Sequence, residues 1–569
     1  MSTVTDPDME TRPGFAEMFT PKLVTVLREG YGNRAFRSDL VAGLTVAIVA
    51  LPLSMAIAIA SGASPAQGLY TAIFGGVMVS ALGGSRFQIG GPAGAFIGLV
   101  ALTVAEHGIA GLALATLLSG LVLMAAGFLR LGTYIKFIPY PVTVGFTAGI
   151  AVIIAASQIA PLLGLAPAVP EPGPLAEKLP VLWDARASLS FPALVLSLGT
   201  IGLLAGLKRA RPHWPGMLIA VVLAGAATGL FALPVETIGT KFGGIPSGLP
   251  VPELPRFGPE LVVAVLPNAL AFALLGAIES LLSAVVADGM TGRRHRSNCE
   301  LVGQGAANIA SSIFGGFCVT GTIARTATNV RAGAHGPVAG MLHSAFLLVF
   351  ILIAAPLASY IPLACLAGIL AVVAWNMVEK QAFATLLRAS RGDAAVLLTT
   401  FGLTVFRDLT EAIVVGFALG SVLFLHRMSQ ATAIESHVPL VAEDQADTEG
   451  DARAPYAGRD PRFPDVIVYR ISGAFFFGAA GSIGSVLDRI SDQYRALVLD
   501  LSAVPLVDST AANTLEMLAH KAERRGTRVV LTGTTHALRR ELFAHGIKPP
   551  LVRYEPSIEA AMRYIGPAD

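Results

Sequence analysis

The sequence predicts a polytopic α-helical membrane protein followed by a small α/β domain. Three observations predict it. First, the 569-residue chain is 54% hydrophobic and 14% charged, with a mean hydropathy of +0.66; soluble proteins carry about 25% charged residues. Second, apolar runs follow one another from about residue 40 to residue 425 with short gaps, and a straight membrane crossing needs ~20 residues. Third, beyond Arg427 the sequence turns polar and acidic, then alternates strand-like and helix-like segments.

These features exclude an ordinary soluble enzyme, a disordered chain and a fibrous one, since a single soluble core stops growing near ~250–300 residues. The 60 Gly and 36 Pro follow no collagen-like period. A net charge of +2 is too small to argue for a nucleic-acid partner. Cys299, Cys318 and Cys365 lie in apolar sequence and share no metal-ligand spacing. Neither a disulfide framework nor a zinc site is expected, and no cofactor is implied.

Residues 1–36 read as a polar, cytoplasmic N-terminal segment without the pattern of a signal peptide. Residues 37–429 read as the transmembrane domain. Its first set of spans (within 37–233) lies near 40–60, 67–83, 92–107, 111–130, 137–157, 190–207 and 216–233. The second set (within 258–429) lies near 261–287, 299–313, 320–332, 336–357, 361–378, 394–407 and 410–426. That is seven plus seven, with the boundaries in 299–332 open to another division. Starting inside and alternating places fourteen Lys and Arg in the cytoplasmic gaps, among them Arg86, Arg130, Lys136, Arg293 and Lys380. The outer gaps hold five: Lys178, Arg186, Lys241, Arg256 and Arg407. That bias predicts both termini inside.

Residues 430–463 read as an acidic linker, and 464–569 as a small domain with an at least partly parallel sheet. Its expected strands are "VIVYRIS", "ALVLDLS" and "RVVLTG". Its expected helices are "AGSIGSVLDRISDQ", "TAANTLEMLAHKAERRG" and "HALRRELFAHG". Asp508 or Ser509 can cap the second helix. Ser509 reads either as such a cap or as a phosphorylation site.

Two short, Gly/Pro-broken segments carry the chemistry: "FQIGGPAGAFIGLVA" (87–101) and "FGGFCVTGTIARTATNVRAG" (314–333), each third in its set. Interrupted segments at corresponding places in two halves point to a transporter site at the bilayer midplane. A half-helix that starts inside the membrane leaves its first N–H groups unpaired, and those donors with the positive dipole end attract an anion. Gly90, Gly91 and Pro92 are expected to begin the first half-helix; Gly321 and Thr322 begin the second. Arg325 lies a turn inside that start. Burying it costs ~2.5–3.5 kcal/mol on insertion scales, so it needs a function or a partner. Its readings are a positive charge beside the anion, a structural ion pair, or a snorkelling side chain.

Glu279 sits alone in "FALLGAIESLLSAVV". It can exchange a proton during transport, pair with Arg325, coordinate a cation or bond a neighbouring helix. Asp288, Glu300 and Asp408 lie near span ends and read as solvated. Asn298, Gln304 and Asn308 recur at helical spacing and read as interhelical hydrogen bonds. Gly43, Gly62, Gly68, Gly75 and Gly76 suit close helix packing. Pro52 implies a kinked or unwound first span, and Ser54 just after it can offer a hydroxyl to substrate.

With these residues in hand, the chain resembles the sulfate permease family, the bacterial relatives of solute carrier family 26. "DLVAGLTVAIVALPLSMAIAIASGASPAQGLY" resembles that family's first-span signature. "HRSNCELVGQGAANIASSIFGGFCVTGTIARTATNVRAGAHGPVAG" resembles its ninth and tenth spans. The tail resembles the STAS domain shared by sulfate transporters and anti-sigma-factor antagonists. The resemblance implies fourteen segments in two inverted repeats of seven, divided into core and gate domains. It also implies a homodimer with an elevator-like or rocking motion in a bacterial inner membrane, and no enzymatic activity.

By position, the resemblance implies an anion site of Ala93, Gly94 and Ala95 facing Thr322, Ile323, Ala324 and Arg325, completed by Ser54 and Glu279. Sodium-coupled bicarbonate members resemble one another in having Asp at the position of Glu279 and no Arg at that of Arg325. The departures here disfavour sodium and favour proton symport or anion exchange. Sulfate, bicarbonate and C4-dicarboxylates such as fumarate are the candidate substrates. Membrane lipid and a cytoplasmic partner of the tail complete the implied partners. A nucleobase permease, a passive anion channel and a membrane-tethered signalling protein are the competing readings. The first would carry acids on both halves of the site and lack the tail, the second needs no coupling carboxylate, and the third leaves two broken helices unexplained.

Overall fold

A computed structural model describes residues 14–134, 139–169, 175–211, 214–255, 258–407, 409–430, 433–436, 463, 465–477 and 494–566. The chain divides into two compact units, Met1–Phe417 and Ala418–Asp569.

The first unit is helical. Among the described residues, eight helices are long and apolar enough to cross a membrane, beginning with Asn33–Ala60. The other expected spans coincide with shorter helical pieces, such as Ser297–Ile313, Ile323–Arg331 and Arg391–Phe406. The expected spans 92–107 and 111–130 form one helical stretch, Ile97–Phe128, broken at Gly108. Its φ of 67° and ψ of −174° lie in a region open essentially to glycine alone, so one residue divides the two spans.

Some details differ from the sequence reading. The first helix runs unbroken through Pro52 rather than unwinding there. Proline costs one backbone hydrogen bond, and close packing holds the helix: a Cβ on Gly68 would strike the Ser54 carbonyl. Gly43, Gly75 and Gly76 also pack tightly against neighbours, whereas Gly62 (φ 74°) ends the first helix instead. Two short helices outside the expected spans, Leu175–Asp184 and Lys380–Ala389, occupy connections. Phe383 anchors the second by an edge-on contact with Phe401, ring centroids 5.7 Å apart.

The second unit holds a five-stranded sheet in sequence order: Ala433–Ser436, Val466–Ser472, Ala496–Ala503, Arg528–Thr532 and Arg553–Glu555. The first pair is antiparallel and the rest are parallel. The three expected strands are present. The expected linker over 430–463 is corrected at its start, because residues 433–436 pair with the next strand, Ile434 opposite Ile471. Four residues in a polar stretch give no periodic signal. Helix Ser509–Arg524 is capped by Asp508, whose carboxylate accepts from Ala511 N at 2.9 Å, while Ser509 is exposed at the first helical position. The helix expected over 480–493 lies outside the described residues, as do Lys136, Arg256 and Asp408.

Candidate functional site

The two broken segments meet. Gly90 pairs with Gly321 and Gly91 with Thr320 in a two-residue antiparallel ladder. Thr322 N adds a further bond to Ile89 O at 3.0 Å. Gly90 and Gly91 therefore do not begin a helix, as expected from sequence; they are extended and clipped to the other half. The first half-helix starts with a tight turn, Gly94–Phe96, after Ala93, and the second is Ile323–Arg331 after Thr322. Because the ladder is antiparallel, the two helices leave it in opposite directions, with both N-termini at the crossing.

Neither start is capped by a side chain. Ala93 has nothing to cap with. The Thr322 hydroxyl, which could cap, instead donates to Ile89 O at 3.4 Å. The first-turn N–H groups have no intrahelical acceptor by helix geometry, so both ends present donors and a positive dipole end toward one region. Ile323 and Ala324 are exposed, Gly94 is half-buried, and Ala93 and Ala95 are buried.

Arg325 is 1% exposed. Its Nη2 donates to Pro92 O at 3.1 Å, so the guanidinium of one half reaches the broken segment of the other. A Cβ on Gly91 would strike Arg325 Nη1, which explains a residue without a side chain there. The snorkelling reading is thus excluded. No hydrogen bond or direct ion pair joins Arg325 to Glu279 among the described residues, although each lies within range of the other's charge. Arg325 Nε and Nη1, Glu279 Oε2 and Ser54 Oγ are all buried without a hydrogen-bond partner among the described residues.

Glu279 lies on the face of helix Pro259–Thr291 that touches the crossing. Gly276 O accepts from Thr320 Oγ1 at 3.1 Å, Ser280 O from Gln88 Nε2 at 3.0 Å, and Ser283 Oγ donates to Thr326 Oγ1 at 3.1 Å. Phe96 and Phe272 add an edge-on contact, ring centroids 6.0 Å apart. Ser54 is fully buried on a helix that packs against Ile323–Arg331, but no hydrogen bond joins it to either helix start.

Sequence reasoning missed the scaffold behind the site. Glu300, read as solvated, is 0% exposed. Gln88, Thr326 and Asn329 were not singled out, yet Thr326 Oγ1 accepts from Ile89 N at 3.1 Å and Asn329 Nδ2 donates to Phe87 O at 2.9 Å. Asn308 bonds not to a neighbouring helix, as expected, but to the extended stretch that follows its own: its amide both donates to Val319 O (2.8 Å) and accepts from Val319 N (3.0 Å). Asn298 does reach another helical element, accepting from Gly132 N at 3.0 Å, whereas Gln304 bonds to Glu300 within its own helix. The spacing of Glu300, Gln304 and Asn308, four residues apart, was the available signal that Glu300 shares their buried face.

Comparison with known proteins gives a consistent picture. Residues 36–400 match the sulfate permease family model, and residues 460–561 match the STAS domain model. A Bacillus subtilis (strain 168) protein, YvdB, provisionally named a sulfate transporter, is 39% identical over 510 residues, covering 89% of this chain and 93% of that protein. The bicarbonate transporter BicA of Synechocystis sp. (strain ATCC 27184 / PCC 6803 / Kazusa) is 33% identical over 524 residues, covering 90% of each. Among solved structures, murine Slc26a9 in its inward-facing state superposes with a TM-score of 0.83 at 18% identity, covering 99% of this chain and 96% of that one.

Proposed function

The chain belongs to the sulfate permease family, a family of membrane transporters and not of enzymes, and from that premise we propose that it is a secondary active transporter of small anions. The observation that carries this reading is the crossing itself: two uncapped helix N-termini, clipped together by backbone hydrogen bonds, with a buried guanidinium reaching from one to the other. Such a cradle offers an oxyanion N–H donors, dipole ends and one fixed charge without a metal.

In this reading, Arg325 and the N–H groups around Ala93, Gly94, Ala95, Thr322, Ile323 and Ala324 hold the anion, with Ser54 adding a hydroxyl. Glu279 carries the coupling proton, giving proton symport or, without net proton movement, anion exchange. Sulfate, bicarbonate and C4-dicarboxylates such as fumarate fit the donor set. The names of YvdB and BicA keep the first two foremost. Sodium coupling is the second reading, and the Glu279–Arg325 combination speaks against it.

The transport domain spans 37–429 in two inverted repeats, and residues 464–569 form a cytoplasmic STAS domain. The protein works as a dimer in the bacterial inner membrane with both termini inside. Because the ladder joins the two half-helices, the site moves as one piece, which suits an elevator-like motion. Counterflow of labelled sulfate, bicarbonate and fumarate into proteoliposomes, with and without sodium and pH gradients, tests the reading. Saturable uptake of one of them, lost in Arg325→Ala, is the expected result. No uptake of any small anion by the wild-type protein would reject it.

A further inference from the structure

We propose that Glu300 is a positioning residue for anion binding: a carboxyl group sealed inside the protein that, through Gln88, sets where the two helix starts stand. The inference rests on the transporter reading above.

Every partner of this carboxylate is a donor. Oε2 accepts from Gly84 N at 2.8 Å and Ser85 N at 3.0 Å. Oε1 accepts from Gln88 Nε2 at 3.0 Å and Gln304 Nε2 at 2.8 Å. Three of these donors, Gly84 N, Ser85 N and Gln88 Nε2, are fixed in direction by the backbone or by a second bond, and each favours a charged acceptor. The orientation of the Gln88 amide is fixed independently, because the same Nε2 donates to the main-chain carbonyl of Ser280 at 3.0 Å.

Gln88 is the link to the site. It stands two residues before the Gly90–Gly91 strand. Its side chain fills the space above Gly321, where a Cβ would collide with it. It also bonds to helix Pro259–Thr291 at the residue after Glu279. One carboxylate therefore ties together the turn at 84–85, both strands of the crossing and the helix that carries Glu279. A neutral amide at position 300 would set its own N–H2 against two of the four donors. The turn and the Gln88 side chain would then shift, and the first helix start with them.

The test uses the full-length protein in proteoliposomes, with labelled sulfate, bicarbonate or fumarate, whichever the wild type takes up. Glu300→Gln and Gln88→Met are each expected to raise KM about 10-fold, the size of one charge-assisted hydrogen bond lost. The double variant is expected to be no worse than either alone, since both break the same chain of contacts. A merely structural role would lower the maximal rate through less folded protein and leave KM unchanged; that result overturns the proposal, as do effects that multiply in the double variant. If Glu300→Gln fails to fold, Gln88→Met decides alone, and an unchanged KM overturns the proposal. Arg325→Ala, run in parallel, separates the two readings. Loss of uptake there with normal KM in Glu300→Gln sinks only this inference, and no uptake by the wild type sinks both.

Discussion

The third and tenth segments solve the same backbone problem with opposite chemistry. Each breaks an apolar run, forms a two-residue strand and then starts a helix without a side-chain cap. The third segment does this with Ala93, Gly94 and Ala95, which offer only main chain. The tenth adds Thr322, Arg325, Thr326 and Asn329, all four of which bond back to the third segment's backbone at Ile89, Pro92 and Phe87. The difference teaches a division of labour. One half supplies plain amide donors. The other supplies charge and also holds its partner in place, so damage to the tenth segment costs both chemistry and geometry.

That comparison can be broken or sharpened by measurement. Arg325→Ala removes the charge and the bridge at once; uptake is expected to fall by about 100-fold or more, consistent with loss of a buried charge-assisted contact, while the protein still elutes as a folded species. Wild-type rates would erase the asymmetry between the halves. Gly91→Ala places a methyl against Arg325 Nη1 and is expected to cost about 10-fold in uptake through displacement of the guanidinium; normal uptake would mean that the guanidinium moves freely. Glu279→Gln is expected to abolish the response of uptake to an imposed pH gradient while counterflow stays within about 3-fold of wild type, since only the proton-carrying group is lost. An unchanged gradient response rejects that role.

Gly94→Ala is the small-effect counterpart. A Cβ there comes 3.1 Å from Ile154 Cδ1, the movable end of a side chain, so uptake is expected to change by less than about 3-fold, in the range of a mild overpacking. A loss as large as that of Gly91→Ala would show the third segment to be as specialised as the tenth. The tail provides the control. Asp500 is buried in the second unit, bonded to Arg470 Nε at 2.7 Å and to Ser502. Burial alone would raise its carboxyl, but the hydrogen bonds from Arg470 and Ser502 outweigh that and hold it below the ordinary range. Its stabilisation is therefore present above an unfolded value of about 3.9 and lost as pH falls through the lower folded value. Asp500→Asn is expected to leave KM unchanged at pH 7. The gap in unfolding temperature to wild type should shrink as the pH is lowered below about 4; a gap that grows instead would reverse the assignment.

The spans and the two breaks were legible because composition and Gly/Pro interruption act locally. Arg325 was legible as a basic residue stranded in apolar sequence. The ladder was not, because Gly90–Gly91 and Thr320–Gly321 are too short to carry a period and their pairing is a long-range event. Glu300 was misplaced because distance from a span end was used to judge solvation, whereas its surroundings are set by a turn from the other half at Gly84 and Ser85. Asp508 and Ser509 both read as possible caps, and the geometry selects Asp508. Local rules named the residues, and only the fold could say which of two adjacent ones acts.

The ladder also sets a timetable for the newborn chain. Gly90 and Gly91 find their partners 231 and 229 residues later, which at about 5–20 residues per second is a wait of roughly 10–45 s during synthesis. Throughout that interval the amides of the first broken segment stand in or beside the bilayer without the strand that will complete them. The ribosome finishes the pocket long after it has made the pocket's first wall, so a chain cut short between the two halves keeps the first broken segment without the strand that pairs it.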